Sequence, residues 1–359
     1  MTHKSRSASV ALWVIALLAL CGMIAASAQI PATGGTAVRI VPNEAARRVD
    51  VFVGKQLFTA YVYPNTLKKP VLFPIRTTRG NLVTRGFPLV PTPGERVDHP
   101  HQVGLWFNYG DVNGLDFWNN SDAVEASQRD KMGTIVHREV RETSGGRDMG
   151  ILKVVMDWLK PDGKALLREQ TTFEFRAAGA LRSIDRNTQL TAIDEPVLFK
   201  DNKEGVIGLR VARALEQPAT KAEVFTDAGG KATTVPVLNN EGVTGLYHSS
   251  EGKTGDDVWG TRGRWLALSG KIGAEDITLA ILDHPSNPGF PTYWHARGYG
   301  LFAANPLGQK AMSNGKEELN FKLEPKQSVT FRYRVLILSE KFSADTMERL
   351  YQRFLSQAR

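Results

Sequence analysis

The clearest structural pattern in the sequence is Ala165-Leu166-Leu167-Arg168-Glu169-Gln170-Thr171-Thr172-Phe173-Glu174-Phe175-Arg176. In its second half, Thr171, Phe173 and Phe175 fall on one side of an extended chain, and Thr172 and Glu174 fall on the other. A period of two residues is typical of a strand with one apolar and one polar face. The segment therefore predicts a long β-strand.

Three more strand-like runs lie beside it along the chain: Thr134 to Arg141, Ile151 to Leu159 and Leu181 to Ile193. The short segments between these runs each contain a residue suited to a tight turn. They are Ser144-Gly145-Gly146, Pro161-Asp162-Gly163 and Ala178-Gly179. Four runs joined by short turns predict an antiparallel meander.

The period of two continues toward both ends of the chain. Val49 to Val53 and Leu57 to Tyr63 flank Gly54-Lys55-Gln56, which is a hairpin pattern. Further strands are predicted at Val206 to Ala214, Arg264 to Ser269, Ile277 to Leu282, Gly300 to Ala304, Glu318 to Leu323 and Ser328 to Leu338.

Only the C-terminus follows a helical period. After Ser343 as the N-cap, one apolar stripe is formed by Met347, Leu350, Tyr351, Phe354 and Leu355. We therefore predict an all-β fold, a large antiparallel β-sandwich with a C-terminal amphipathic helix. Two smaller sandwiches in tandem are the alternative.

The first 28 residues predict a signal peptide. Lys4 and Arg6 precede an apolar run from Val10 to Ile24, and Ala26-Ser27-Ala28 has the small residues of a cleavage site. The run of about 15 residues is short for a membrane span, which needs about 20. We expect export, to the periplasm or outside the cell, with residues 29–37 as a flexible lead-in and 38–359 as a single all-β domain. A lipid anchor at Cys21 is the weaker alternative, because the preceding residue is Leu20 rather than a small one.

Composition excludes several classes of function. Cys21 is the only cysteine, so the mature chain has neither disulfides nor thiolate chemistry. Without Lys4 and Arg6, 43 basic residues face 37 acidic ones, and they are spread along the chain. A nucleic-acid partner is therefore not expected. No membrane association is expected after signal cleavage.

Residues 96–118 concentrate side chains capable of chemistry. His99 and His101 lie two residues apart in a segment extended by Pro100, so both rings can leave the same face, beside Asp98. These histidines are candidates for acid–base chemistry or, if a divalent metal is bound, for its ligands. In the structural alternative they are loop histidines bound to the backbone.

The same segment contains flat aromatic rings and short polar groups, a mixture that suits a pyranose. The candidates for binding a sugar are Trp106, Asn108, Asn113, Asp116 and Trp118, with Asp111 as a further candidate acid–base group. In the structural alternative the tryptophans are core residues and Asp111-Val112-Asn113-Gly114 is a turn stabilised by its aspartate.

Two distant segments supply further candidates. Asp283-His284-Pro285 repeats the Asp98-His99-Pro100 tripeptide, which predicts His284 as an acid–base group, and His295 is predicted for the same role. The remaining predicted groups are Glu204 as a catalytic carboxylate, and Lys200, Arg262, Tyr293, Trp294 and Arg297 as ligands of the substrate. The charged turn at 200–205 is equally compatible with a solvated surface.

The motifs also carry a family resemblance. His99-Pro100-His101, Gly104-Leu105-Trp106-Phe107, Gly110-Asp111-Val112-Asn113-Gly114, Asp116-Phe117-Trp118, Lys203-Glu204-Gly205 and residues 291–306 resemble an uncharacterised family of exported proteins. Its members often carry the label "methane oxygenase PmoA". The label does not suit this chain, because a particulate methane oxygenase subunit is a bundle of membrane helices.

The resemblance implies motif positions but no established catalytic residues. Where the family signature often has a second histidine and an arginine, this chain has Gln102 and Val103, which argues against further imidazole ligands there.

The leading hypothesis is an exported carbohydrate-active enzyme, a hydrolase, lyase or epimerase, on a sandwich of the galactose-mutarotase-like kind. It uses histidine and carboxylate acid–base chemistry on a small carbohydrate and needs no cofactor. The alternatives are a non-catalytic sugar-binding protein and a histidine-ligated metal oxidoreductase.

Overall fold

The computed structural model describes residues 36–357, whose strands form two large antiparallel sheets and a third of two strands. The predicted signal peptide, 1–28, and residues 29–35 of the predicted lead-in lie outside the described residues. Ala37, the last residue of that lead-in, already belongs to the first strand. A single domain spanning 38–359 stays a prediction.

The strands are, in chain order, β1 (Ala37–Asn43), β2 (Arg48–Val53), β3 (Gln56–Val62), β4 (Val71–Leu72), β5 (Leu105–Tyr109), β6 (Thr134–Ser144), β7 (Gly146–Arg147), β8 (Met149–Leu159), β9 (Ala165–Ala178), β10 (Leu181–Ala192), β11 (Val197–Phe199), β12 (Gly205–Arg210), β13 (Leu246–Ser249), β14 (Trp265–Ile272), β15 (Glu275–Asp283), β16 (Tyr293–Arg297), β17 (Leu301–Asn305), β18 (Phe321–Leu323) and β19 (Ser328–Leu338). The α-helices are α1 (Gln309–Met312) and α2 (Ala344–Gln357), and short 3-10 helices span Ala126–Lys131, Arg213–Leu215 and Gly255–Val258.

The two large sheets each combine strands from distant parts of the chain. One has nine strands in the order β16-β17-β12-β5-β4-β3-β2-β1-β7, and the other has eight in the order β13-β14-β15-β19-β10-β9-β8-β6. The predicted meander forms one end of the eight-stranded sheet, with β10 also paired to the C-terminal β19. This mixing of early and late strands excludes two sandwiches in tandem.

The sheets pack face to face around one large apolar core. The Phe58 and Phe175 rings, one from each sheet, meet edge to face with centroids 6.3 Å apart. Phe107 and Phe331 meet across the same interface at 5.5 Å. Alternate residues of each strand supply these contacts, as the period of two requires. The predicted antiparallel β-sandwich is therefore confirmed.

The C-terminal helix covers the outer face of the eight-stranded sheet. Ser343 caps it, since its Oγ accepts a hydrogen bond from the Thr346 backbone N–H at 3.3 Å. Met347, Tyr351 and Phe354 are buried against that sheet. Among residues 36–357, no helix has both the length and the apolar character needed to cross a membrane.

Candidate functional site

A cleft lies at the end of the nine-stranded sheet that contains β16, β17, β12 and β5, and β16 lines it with His295, Ala296 and Arg297. Across β16, β17, β12 and β5 the register aligns His295, Ala303, Gly208 and Trp106 in one row. A Cβ atom at Gly208 would lie 2.4 Å from the Trp106 ring. Ala303 and Gly208, the two small residues of the row, therefore leave the space that the Trp106 indole occupies.

The cleft has a volume of about 900 Å³ and faces away from the sandwich core. Its walls come from residues distant in sequence: Arg96, His99, His101, Gln102, Trp118, Asn119, Lys203, Glu204, 217–221, Glu223, Asp256, Trp259 and 295–299. The two predicted clusters, 96–118 and 293–299, therefore meet at one site, and the turn containing Glu204 joins them.

Behind the cleft, Asp98 is held by two buried arginines. Arg85 Nη1 and Arg210 Nη2 each donate to Asp98 Oδ1 at 2.6 Å. The exposed fraction is 1% for the Arg85 side chain and 0% for that of Arg210. Arg85 also donates to the backbone carbonyls of Asp98 and Gln102, and Arg210 donates to the Gln102 side chain at 2.6 Å. The 98–102 loop is thus fixed from beneath.

His99 lies on top of this arrangement and reaches the solvent. Its backbone has φ 45°, a left-handed conformation that a non-glycine residue keeps only where its surroundings hold it. The ring stacks on Tyr299 with centroids 5.0 Å apart and planes 4° apart, and its exposed fraction is 41%. Nδ1 lies 2.7 Å from Asp98 Oδ2. The geometry leaves Nε2 as the ring nitrogen available to a ligand.

The environment of Asp98 keeps its carboxyl ionised. Burial alone would raise its pKa, but the hydrogen bond with His99 and the charges of Arg210 and Arg85 outweigh burial and hold the pKa well below its usual range. An ionised Asp98 accepts the Nδ1–H of His99 and fixes that tautomer.

The other two histidines of the cleft stay neutral. Burial, with the charge of Lys69 second, lowers the pKa of His101 to about 2. Burial, with the charges of Lys203 and Arg297, lowers the pKa of His295 to about 3. At neutral pH both rings are therefore neutral hydrogen-bonding groups.

A second carboxylate, Glu204, also lines the cleft. Glu204 Oε2 is 3.6 Å from His295 Nδ1, and this nitrogen has no hydrogen-bond partner among the described residues. Glu204 also contacts the Lys203 ammonium group. Glu204 is half-buried, so it is accessible from the cleft.

Several predicted ligands of the substrate are core residues instead. Trp106, Asn108 and Trp294 have an exposed fraction of 0%, and Tyr293 has 5%. Asn108 donates to the Phe117 carbonyl, which ties β5 to the following loop. Trp294 faces the sandwich core because it alternates with His295 along β16. Their polar atoms and rings do not line the cleft.

The short acidic and amide residues of the first cluster stabilise turns. Asp111 accepts a hydrogen bond from the Gly114 N–H, and Asn113 bonds the backbone of Pro196 and Leu198. Asp116 accepts the backbone N–H groups of Trp118 and Asn119. The structural alternative therefore describes Asp111 and Asn113 correctly, and none of the three residues lines the cleft.

Three further predicted residues lie elsewhere. Lys200 is exposed and outside the cleft. Arg262 donates to the backbone of Gly289 and Pro291, pairs with Glu317 and covers the Tyr293 ring, which makes it a structural cation. His284 packs edge to face on Phe354 of α2 and contacts Ser286. The Asp-His-Pro tripeptide at 283–285 is identical to that at 98–100 but lies outside the cleft.

Sequence reasoning missed Arg85 and Arg210 as parts of the site. Arg210 interrupts the apolar run Val206-Ile207-Gly208-Leu209, and a lone arginine in a buried strand needs an anionic partner. That signal was present, although it does not name the partner. Arg85 has no comparable local signal.

The described residues contain no group of three histidine, cysteine, aspartate or glutamate side chains arranged to hold a metal ion. His99 and His101, the candidates for metal ligation, have ring centroids 5.6 Å apart and planes at 78°.

Three solved structures give comparisons for the fold. The galactosidase domain of the α-galactosidase–sucrose kinase AgaSK is 10% identical, with 85% of this chain and 42% of that chain covered, at TM-score 0.41. The α-galactosidase AgaB of Geobacillus stearothermophilus is 11% identical, with 84% and 41% covered, at TM-score 0.42. A galactose mutarotase-like protein of Clostridium acetobutylicum is 10% identical, with 86% and 99% covered, at TM-score 0.32.

The chain spans less than half the length of the two galactosidase chains. Comparison with curated proteins gives no match. None of these comparisons carries the "PmoA" label. One family profile matches residues 48–352, which include both motif clusters and nearly every strand. The chain belongs to the family of unknown function DUF6807.

Proposed function

We propose that the protein is an exported carbohydrate-active enzyme that binds a sugar or glycoside in the cleft and transfers a proton through His99. Export rests on the predicted signal peptide. The observation that carries the enzymatic part is the Asp98–His99 pair, 2.7 Å apart, fixed by two buried arginines and open to the cleft.

Proton transfer follows from the tautomer of His99. With Nδ1–H donated to Asp98, the lone pair of the neutral ring is on Nε2, which takes a proton from the substrate or from water. The imidazolium that forms is stabilised by the Asp98 carboxylate, and it returns the proton to a leaving oxygen or to the sugar. Glu204, which also lines the cleft, is the candidate for a second acid–base group.

A sugar fits the lining of the cleft. The half-buried Trp259 lines the cleft and offers its indole to the apolar face of a pyranose, whereas Trp118 is fully buried and the Tyr299 ring is covered by His99 and Arg210. Gln217 and Glu204 offer amide and carboxylate groups to hydroxyls. A cleft of about 900 Å³ suits one or two sugar units.

Hydrolysis, β-elimination and epimerisation all need such a proton transfer, and the product formed distinguishes them. Non-catalytic sugar binding is the second candidate. It is favoured by the neutral His101 and His295, which offer hydrogen bonds without exchanging charge.

The test uses the mature chain and a panel of methyl glycosides and oligosaccharides. Binding is measured by thermal shift and conversion by NMR, for wild type, His99→Gln and a control, His248→Gln. His248 lies outside the cleft, against Phe342. We expect His99→Gln to bind the sugar without converting it, while the control does both.

Conversion by His99→Gln at the wild-type rate would overturn the enzymatic role of His99. Binding without conversion by the wild type, for every sugar of the panel, would establish the second candidate. If no sugar stabilises the wild type, the carbohydrate proposal fails.

A further inference from the structure

The Arg297 guanidinium lies in the cleft and pairs with no carboxylate among residues 36–357. It lies on β16, lines the cleft, and stacks over Trp259 with its Cζ atom 4.6 Å from the ring centroid. Among residues 36–357, no carboxylate lies within 4.0 Å of its nitrogens, and its side chain donates no hydrogen bond.

Two other cations of the cleft are already paired, whereas Lys221, which is exposed, lines the cleft with no ion pair among residues 36–357 and carries no planar set of donors. Arg96 binds Glu216 at 2.7 Å and Glu223 at 2.8 Å, and Lys203 binds Glu204. Arg297 therefore differs from them in having its planar set of N–H donors unused and held in place by an indole. Such a group is suited to a planar, bidentate acceptor.

Gln217 lines the cleft beside Arg297. Its exposed fraction is 8%, and its Nε2 donates to Asp256 Oδ1 at 2.7 Å. Its Oε1 is buried without a hydrogen-bond partner among the described residues. Gln217 packs against Gly298, the residue next to Arg297, since a Cβ atom there would lie 3.1 Å from Nε2. Gln217 therefore fixes the cleft wall beside Arg297 through its hydrogen bond to Asp256.

We infer that the cleft takes a carbohydrate carrying a carboxylate, a uronic acid unit, whose carboxylate binds Arg297. The inference rests on the proposed function and names its substrate class. A uronate matches this guanidinium, because it carries a planar anionic acceptor on a sugar ring. The carboxylate accepts hydrogen bonds from Arg297 in the planar, bidentate geometry that a guanidinium favours.

The test compares three matched pairs of methyl glycosides with galacto, gluco and manno configuration. Each pair contains the neutral sugar and its C6 carboxylate, so that only the charge changes. Affinity is measured by calorimetry for wild type, Arg297→Met, Arg297→Lys and Lys200→Met. Lys200 is the matched control, an exposed cation outside the cleft.

We expect at least one carboxylate to bind wild type about tenfold or more tightly than its neutral partner, since hydrogen bonds to charged groups contribute about 1.5–3 kcal/mol. Arg297→Met should abolish that preference and Lys200→Met should keep it. Arg297→Lys, which keeps the charge without the planar fork, should keep part of it. Unfolding midpoints without ligand establish that each variant is folded.

Equal affinity for the two members of every pair that binds, or an unchanged preference in Arg297→Met, overturns the inference and leaves the carbohydrate proposal intact. Absence of binding by all six glycosides to the wild type overturns both.

Discussion

The tripeptide Asp-His-Pro occurs twice in this molecule, and its two copies have opposite environments. At 98–100 it lies at the cleft, with Asp98 bound to two buried arginines and His99 exposed over Tyr299. At 283–285 it ends β15, where it packs against the C-terminal helix.

The two aspartates differ in their charge state for this reason. Asp98 is kept ionised by His99, Arg210 and Arg85 against the effect of burial. Asp283 is fully buried and has no ion pair among residues 36–357, and burial raises its pKa to about 7. It accepts hydrogen bonds from Asn287 and the Thr292 backbone N–H. An identical local sequence therefore does not define a functional site. The charged partners that distant strands contribute decide the environment of each copy.

The largest expected effect is on stability, from Asp98→Asn. The variant leaves the Arg85 and Arg210 guanidinium groups buried beside a neutral amide, which should lower the free energy of unfolding by about 3–5 kcal/mol. Urea denaturation at pH 7 measures it. The matched control is Asp122→Asn, because Asp122 forms an exposed pair with Lys68 and should contribute less than about 1 kcal/mol. Equal losses in the two variants would contradict the role given to Asp98.

A second prediction uses the buried histidine of the cleft. The folded pKa of His295 is about 3, below the 6.5 of an unperturbed histidine. The unfolded chain therefore binds a proton that the folded chain does not, and wild type loses stability as the pH falls from about 6.5 toward 3. His295→Gln should remove up to about 1.4 kcal/mol per pH unit from that slope. Denaturation curves at pH 4, 5, 6 and 7 test it, and parallel slopes would refute it.

The smallest expected effect comes from the second copy of the tripeptide. The pKa of Asp283 is raised, so the folded chain holds a proton that the unfolded chain releases, and its contribution to stability is lost as the pH rises from about 4 through 7. Asp283→Asn leaves one donor unpaired and should cost about 1–3 kcal/mol at pH 4. The gap between wild type and variant should narrow toward pH 7. A gap that widens with pH would show that Asp283 is ionised in the folded protein.

Much of the fold was predictable, because the strands follow a local period of two residues. The run predicted at Ser328 to Leu338 is β19 residue for residue, and the predicted stripe from Met347 to Leu355 lies within α2. Two predicted strands were too long. The chain leaves the sheet after Arg210 and enters a short 3-10 helix at Arg213, and β18 begins at Phe321 rather than at Glu318.

The site was predictable only in part. The polar clusters that contain His99 and His295 were visible as dense local chemistry, and the structure brings them together. The pairing of β5 with β12 and of β12 with β17 was not visible, because strand order depends on contacts between residues far apart in sequence. That order brings Arg210 to Asp98, and it leaves His284 on the other sheet. Trp106 and Trp294 were misassigned since an indole in a strand has the same sequence pattern in a core as in a cleft.

The central claim is that one copy of the tripeptide transfers protons and the other is structural. The most direct test is the turnover of one converted sugar by His99→Gln and His284→Gln, at the same pH. The account predicts that His99→Gln lowers kcat by about 10²–10⁴-fold, the usual contribution of a general acid or base, while His284→Gln stays within about twofold of wild type. Equal kcat values for the two variants would contradict it.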